Sequence, residues 1–320
     1  MKILVIGGAG YVGSTVSRDL WENGHDVTAL DLMSFGGESL VSLYGKERFR
    51  LERGDMRDRA RLAEVMPGHD AVVVLAAVVG EPACNRDPET AVSTNLDGTL
   101  TALAVAKECG VRHFAFASTC SNYGVADGDD FVTEDAPLQP LSTYSETKVA
   151  AEKEILASAT EDFFPTVLRL STAFGVSTRM RYDLLVSDFT LAAVQDGKIL
   201  IFGEQFWRPF VHVQDIAQAF RLVLEADPET VSGEVFNVGS NDNNTQKIEL
   251  GRKVKEQVVG TELEFVKKDT DPRSYRVDFS KIRDRLGFEA KWSIEDGIRE
   301  LHAALEAGVW PDPSDGRYKN

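Results

Sequence analysis

The sequence predicts an α/β fold, a doubly wound parallel sheet with a smaller, interleaved α/β domain. Three observations carry this. Short β-branched runs alternate with amphipathic stretches through the first half of the chain. Two of the runs, VVVLAA from Val72 and FAFAS from Phe114, are apolar throughout, as are strands covered on both faces of a parallel sheet. The first run passes straight into a glycine-rich turn and a helical pattern, the opening unit of such a sheet.

Taken in order, strands are expected at Lys2 to Ile6, Asp26 to Leu30, Arg48 to Arg53, Ala71 to Leu75, His113 to Ala117 and Thr166 to Leu170. Helices between them are expected at Gly13 to Asn23, Asp58 to Val65, Thr94 to Cys109 and Tyr144 to Ser158. After Gly175 the texture is less regular. A loop-rich stretch from Val176 to Tyr182 precedes a helix from Leu184 to Gln195, a strand from Ile199 to Phe202 and a helix from Gln214 to Ala226. Further helices are expected at Ile248 to Val258 and Ser293 to Ala307, while Val235 to Ser240 reads as a buried strand returning to the first sheet. The larger domain is therefore placed at residues 1–175, joined in part by 205–240, and the smaller at 176–204 and 241–320. The tail from Trp310 to Asn320, with two prolines, is expected to be peripheral.

With 320 residues, 43% of them hydrophobic, and no apolar run long enough to span a bilayer, the chain is read as globular rather than disordered or membrane-embedded. Its 51 acidic against 35 basic side chains give a formal charge of −16, which repels nucleic acid and anionic membranes. A small anion needs only a local arginine or helix N-terminal amides, and stays possible. The start MKILVIGG predicts no signal peptide, and the odd, scattered set Cys84, Cys109 and Cys120 predicts a cytoplasmic protein. Neither the cysteines nor the five histidines have metal-ligand spacing, so no metal is expected.

Function is read from the strand ends. Gly7, Gly10 and Gly13 follow the first strand and open a helix, so the backbone turns sharply, approaches a pyrophosphate and offers it helix N-terminal amides. Asp31 ends the second strand eighteen residues after Gly13, where a carboxylate accepts from ribose hydroxyls and repels a 2′-phosphate. The pattern is that of a Rossmann dinucleotide site and favours NAD over NADP. Asp55 and Met56, in GDMRD, meet an adenine or form a solvated turn; Leu75, Ala76 and Ala77 leave room for a cofactor above the sheet; Asn95 is a helix cap or orders the central helix and the lysine described next. The fifth strand ends in Ser118-Thr119-Cys120-Ser121-Asn122-Tyr123-Gly124, and Tyr144 and Lys148 follow at i and i+4. They share a helix face, where an ammonium favours the phenolate, while the Thr119 hydroxyl holds a substrate oxygen.

GGAGYVG, Asp31, GDM, LAA, STCSNYG, YSETK, LRLSTAFG and RPFVHVQDIA, in this order over most of the chain, resemble the extended short-chain dehydrogenase/reductase family, and within it the NAD-dependent sugar-nucleotide epimerase/dehydratase branch. The resemblance implies that Tyr144 is the catalytic acid/base, Lys148 its pKa-tuning and ribose-binding partner, and Thr119 the catalytic hydroxyl. NAD is expected along Gly7, Gly10, Tyr11, Val12, Gly13, Asp31, Leu32, Asp55, Met56, Leu75, Ala76, Ala77, Asn95, Tyr144, Lys148 and Leu170. A nucleotide-sugar substrate is expected on Thr119, Tyr144, Thr172, Arg181, Arg208, Asp271 and Arg273, with Arg208 gripping the phosphates. Members that expel water usually carry an acid just after the catalytic hydroxyl. Cys120 and Ser121 stand there, and Cys120, one residue past Thr119, points to the opposite face as a small buried hydrophobe. These features imply an NDP-hexose 4-epimerase acting through a 4-keto intermediate, with an NDP-4-keto-hexose reductase as alternative and an NAD-sensing binding protein as the reading from another class. Small residues on two helices (Ala102, Ala104, Ala106, Val149, Ala150 and Ala151) suggest a homodimer, as the family commonly forms, or burial within one chain.

Overall fold

In the computed structural model, which describes residues 1–125, 131–267 and 273–319, strand β1 (Lys2–Ile6) turns Ile3 and Val5 to one face and Leu4 and Ile6 to the other. All four are sealed from solvent. A period of two with both faces apolar is the pattern of a sheet covered on both sides. β2 (Asp26–Asp31), β3 (Phe49–Arg53), β4 (Ala71–Val74), β5 (His113–Thr119), β6 (Phe164–Leu170) and β7 (Glu234–Val238) complete a seven-stranded parallel sheet in the order β3-β2-β1-β4-β5-β6-β7. The order reverses between β1 and β4, which opens a crevice beyond the carboxyl ends of the strands.

One face is closed by the helices Tyr11–Glu22, Val213–Glu225 and Ser280–Leu286, through Val16, Leu20, Ile216, Phe220 and Ile282. The other is closed by Arg59–Val65, Thr99–Glu108 and Thr143–Ala157, through Leu62, Leu103, Val105, Ala151 and Ile155. A smaller core lies among the helices Leu185–Asp196, Lys247–Gln257 and Ile294–Glu306, built on Phe189, Leu250, Val254 and Ile298. Among the described residues no helix is long and apolar enough to cross a membrane.

The structure refines the expected organisation in four places. Trp207–His212 does not join the large sheet; it pairs with Thr172–Phe174 and Asn244–Gln246 in a separate three-stranded one. Val277, Phe279, Ile282 and Phe288, from the stretch expected in the smaller domain, pack instead into the core under the large sheet, where edge strand β7 needs cover. The helix expected from Thr94 to Cys109 is Pro88–Val92, a wide π-helical turn over Ser93–Gly98, and Thr99–Glu108. The tail lies at the surface, as expected, but it is docked. Trp310 and Tyr318 each pack edge-on against Tyr182 at 5.7 Å, and the Tyr182 amide donates to the Tyr318 carbonyl at 2.9 Å.

Candidate active site

Two connected clefts lie over the carboxyl edge of the sheet, one of about 410 Å³ and one of about 750 Å³, sharing Val12, Leu75, Ala77 and Arg181 in their walls. The first is built on the glycine turn. Gly7 has φ +86°, and a Cβ there would stand 2.5 Å from the Ala76 amide nitrogen; a Cβ on Gly13 would stand 1.9 Å from the Gly7 carbonyl oxygen. The helix Tyr11–Glu22 starts at Gly10 with no side-chain cap and no acid in its first turn, so its amides are open to an anion. A side-chain-free floor beside an uncapped helix N-terminus fits a dinucleotide pyrophosphate.

Asp31 lies at the end of β2, where its carboxylate accepts from the Ala9 amide at 3.0 Å and the Met33 amide at 2.7 Å. Burial pushes this carboxyl up; the two amides and Arg179 pull it back. Leu32, Met56, Leu75, Ala76 and Ala77 line the same cleft. Asp55 also lines it, but is held by the Arg57 guanidinium at 2.6 Å, which lowers its pKa; the turn acid is an ion pair rather than a freely solvated group. Tyr11 faces inward, its hydroxyl donating to the Gly175 carbonyl at 2.7 Å. Asn95 neither caps a helix nor reaches the lysine. The π-helical turn rotates it toward Val78, whose amide donates to Asn95 Oδ1 at 2.8 Å and whose carbonyl accepts from Asn95 Nδ2 at 2.9 Å. Its amide is committed to the backbone of a cleft wall.

The second cleft brings together the three side chains expected to be catalytic. Thr119, the last residue of β5, accepts from the Ser121 amide at 3.1 Å, and its hydroxyl lies near enough to the Tyr144 phenol to lower that group's pKa. Tyr144 and Lys148 come from the helix Thr143–Ala157, which starts with a Ser142/Ser145 capping box. The Lys148 ammonium is sealed from solvent, donates to the Ala117 carbonyl at 2.8 Å and lies 5.9 Å from the centre of the Tyr144 ring. Burial lowers the Lys148 pKa to about 8, with Glu152 opposing. Burial also pushes the Tyr144 phenol up to about 12, against the pull of Arg181, Arg273 and the Thr119 hydrogen bond. The Lys148 ammonium is aimed at a backbone carbonyl, and it is the two arginines and Thr119 that act against the burial of the phenol.

Cys120 turns into the core, its thiol donating to the Arg169 carbonyl at 3.2 Å, and burial pushes its pKa up to about 12. Thr172, Arg181, Arg208 and Arg273 line this cleft, as does Leu170, which was expected against the cofactor. Arg181 is paired with Asp183 at 2.6 Å, Arg208 donates to the Arg273 carbonyl, and Arg273 donates to Ser121 Oγ at 3.2 Å. Asp271 lies outside the described residues. Arg179, grouped with Arg181 in the sequence, instead lines the first cleft, its guanidinium 3.9 Å from the centre of the Phe35 ring. Ser121, Lys247, Tyr275 and Lys319 complete the wall without having been foreseen. Lys319 arrives because aromatic packing folds the tail back.

The model of the NAD dependent epimerase/dehydratase family matches residues 3–239. The low-salt glycan biosynthesis protein Agl12 of Haloferax volcanii is 32% identical, covering 93% of this chain and 96% of its own. The crystal structure of a Thermotoga maritima UDP-glucose 4-epimerase with UDP-glucose superposes with a TM-score of 0.86 at 28% identity, over 97% of this chain and 100% of its own. That of a Streptomyces venezuelae dTDP-glucose 4,6-dehydratase with NAD bound superposes equally well, 0.86 at 26% identity, over 97% and 98%. The chain belongs to the NAD dependent epimerase/dehydratase family and is an enzyme that uses NAD.

Proposed function

We propose that this enzyme is a nucleotide-hexose 4-epimerase that works through a 4-keto sugar and returns its NAD oxidised. The turn after β5 carries the reading. Cys120 faces the core and Ser121 is uncharged, so the turn that presents Thr119 beside Tyr144 and Lys148 carries no acid of its own. A hydroxyl, a phenol and an ammonium suit the movement of one proton and one hydride, and the turn adds no carboxylate to expel water from the sugar. NAD, when bound, supplies the hydride acceptor and later donor. Tyr144 takes the proton of the C4 hydroxyl and later returns it, Thr119 holds that oxygen, and Arg208 and Arg273 hold the nucleotide phosphates. Asp31 supports a cofactor that is recycled in place.

Incubation with UDP-, dTDP-, GDP- and CDP-hexoses, followed by NMR of the sugar, tests this. One C4 epimer pair should interconvert without added NADH. Consumption of one NADH per 4-keto sugar would make the enzyme a reductase instead, and absence of turnover with every pair would remove the proposal. Tyr144→Phe should lower turnover by about 10²–10⁴-fold and leave NAD binding intact; a protein that only senses NAD would be indifferent to it. We also propose a homodimer. Ala102, Ala106 and Ala151 are used up in the core of one chain, whereas Ala104, Val149 and Ala150 are only half-buried. Light scattering should report twice the chain mass.

A further inference from the structure

We propose that Glu152 is a positioning residue of the reaction: it keeps the Lys148 ammonium charged and locks the turn that presents Thr119. The proposal rests on Tyr144 and Lys148 being the acid–base pair. Tyr144, Lys148 and Glu152 follow one another at steps of four on the helix Thr143–Ala157, so they share one face, and β5 covers it. One turn past Lys148 the Glu152 carboxylate is sealed from solvent and collects donors from two strands and from the turn that follows β5. Arg169 on β6 donates through Nη2 at 2.8 Å and Nε at 3.2 Å, Asn122 through Nδ2 at 2.8 Å, and Ser118 through its hydroxyl. Ser118 and Asn122 bracket Thr119, Cys120 and Ser121. A single carboxylate therefore ties both ends of the catalytic turn to the catalytic helix.

Arg169 is fixed in turn. It donates to the Tyr123 hydroxyl and to the Glu134 carbonyl, both at 3.0 Å, and Tyr123 donates to Asn237 on β7 at 2.7 Å. A buried ion pair is a weak stabilising device compared with apolar side chains of the same volume. At this place it supplies something apolar side chains would not, a fixed negative charge one helical turn from an ammonium that burial depresses to about 8. The groups facing Lys148 are Tyr144 and Glu152 from its own helix and Cys84 from the helix Glu81–Arg86; those facing Glu152 are Arg169, Ser118 and Asn122. Of the charges acting on the ammonium, Glu152 is the largest that favours its protonated form.

The test follows Lys148 directly and needs no sugar, so it is independent of which epimer pair turns over. In NAD-loaded enzyme with isotope-labelled lysine ε-carbons, the Lys148 resonance, assigned by its loss in Lys148→Met, is titrated by NMR. Glu152→Gln should move its midpoint down by about one pH unit, and Glu152→Asp, which keeps the charge, should leave it near the wild-type value. Because Glu152→Gln strands a buried arginine, the double variant E152Q/R169M is titrated too, and should show the same downward shift with stability regained. An unchanged midpoint in both overturns the proposal. So does a shift in the single variant that disappears in the double one, since the effect would then belong to the stranded Arg169 charge.

Discussion

A single side chain, Asp31, is proposed to select NAD, and one substitution tests it. Its carboxylate is shaped by two backbone amides into a fixed acceptor at the mouth of the first cleft. Arg179 lies close enough to act on it electrostatically and is braced over Phe35. Asp31→Ser removes the charge that repels a 2′-phosphate and leaves Arg179 to attract one. A charge-assisted hydrogen bond contributes about 1.5–3 kcal/mol. NAD affinity should therefore fall about 10-fold or more, and the preference for NAD over NADP should shrink by about 100-fold. Titration of both cofactors by intrinsic fluorescence measures it. An unchanged preference would mean that discrimination lies elsewhere in the cleft. At Gly13 no such tuning is available. Gly13→Ala places a methyl group on the Gly7 carbonyl, and it should abolish NAD binding at any concentration the protein survives.

At the scale of elements, the strand-end residues were legible because each belongs to a local pattern: an apolar run, then a glycine, an acid or a hydroxyl. The same holds for Tyr144 and Lys148, whose spacing is a helical repeat. What stayed hidden depends on contacts between distant segments. Asn95 was misread because a π-helical turn has no periodic signature of its own, and the strand Trp207–His212 was not foreseen because short strands pair by register that only the folded chain defines. The tail was hidden for the same reason. It reads as polar and proline-rich, yet Trp310 and Tyr318 clamp Tyr182, Arg179 Nη2 donates to the Lys319 carbonyl at 3.5 Å, and Lys319 lines the substrate cleft. Truncation after Val309 should thus lower stability by about 2–4 kcal/mol, from two lost aromatic contacts and newly exposed apolar surface. It should also raise KM for the nucleotide sugar. Lys319→Ala separates the two effects, raising KM severalfold with an unchanged thermal midpoint. If the truncated enzyme keeps both its KM and its midpoint, the docked tail has no bearing on the site.

Across the whole molecule the opposition is between a formal charge of −16 and a cleft that must hold anions. Lys148, Arg181, Arg208, Lys247, Arg273 and Lys319 line the second cleft, proposed to hold the substrate, against Asp183 and Asp188. The two fields have different reach. At about 0.01 M salt the screening length is about 30 Å, so an approaching nucleotide sugar meets the summed negative charge of the whole surface before it meets the cleft. At about 0.15 M it is about 8 Å, and the distant acids drop out while the arginines at contact are screened much less. Under conditions where kcat/KM is limited by encounter, it should rise as salt increases over this range. It should then fall above about 0.5 M, when the contact interactions weaken as well. Arg208→Gln should lower the whole curve and leave its rising limb in place, because that limb belongs to the outer surface. Measuring kcat/KM against sodium chloride for both proteins decides the matter. A monotonic fall from the lowest salt would show that the cleft's positive charge governs approach at every distance, and that the acidic surface is arranged to stay out of its way.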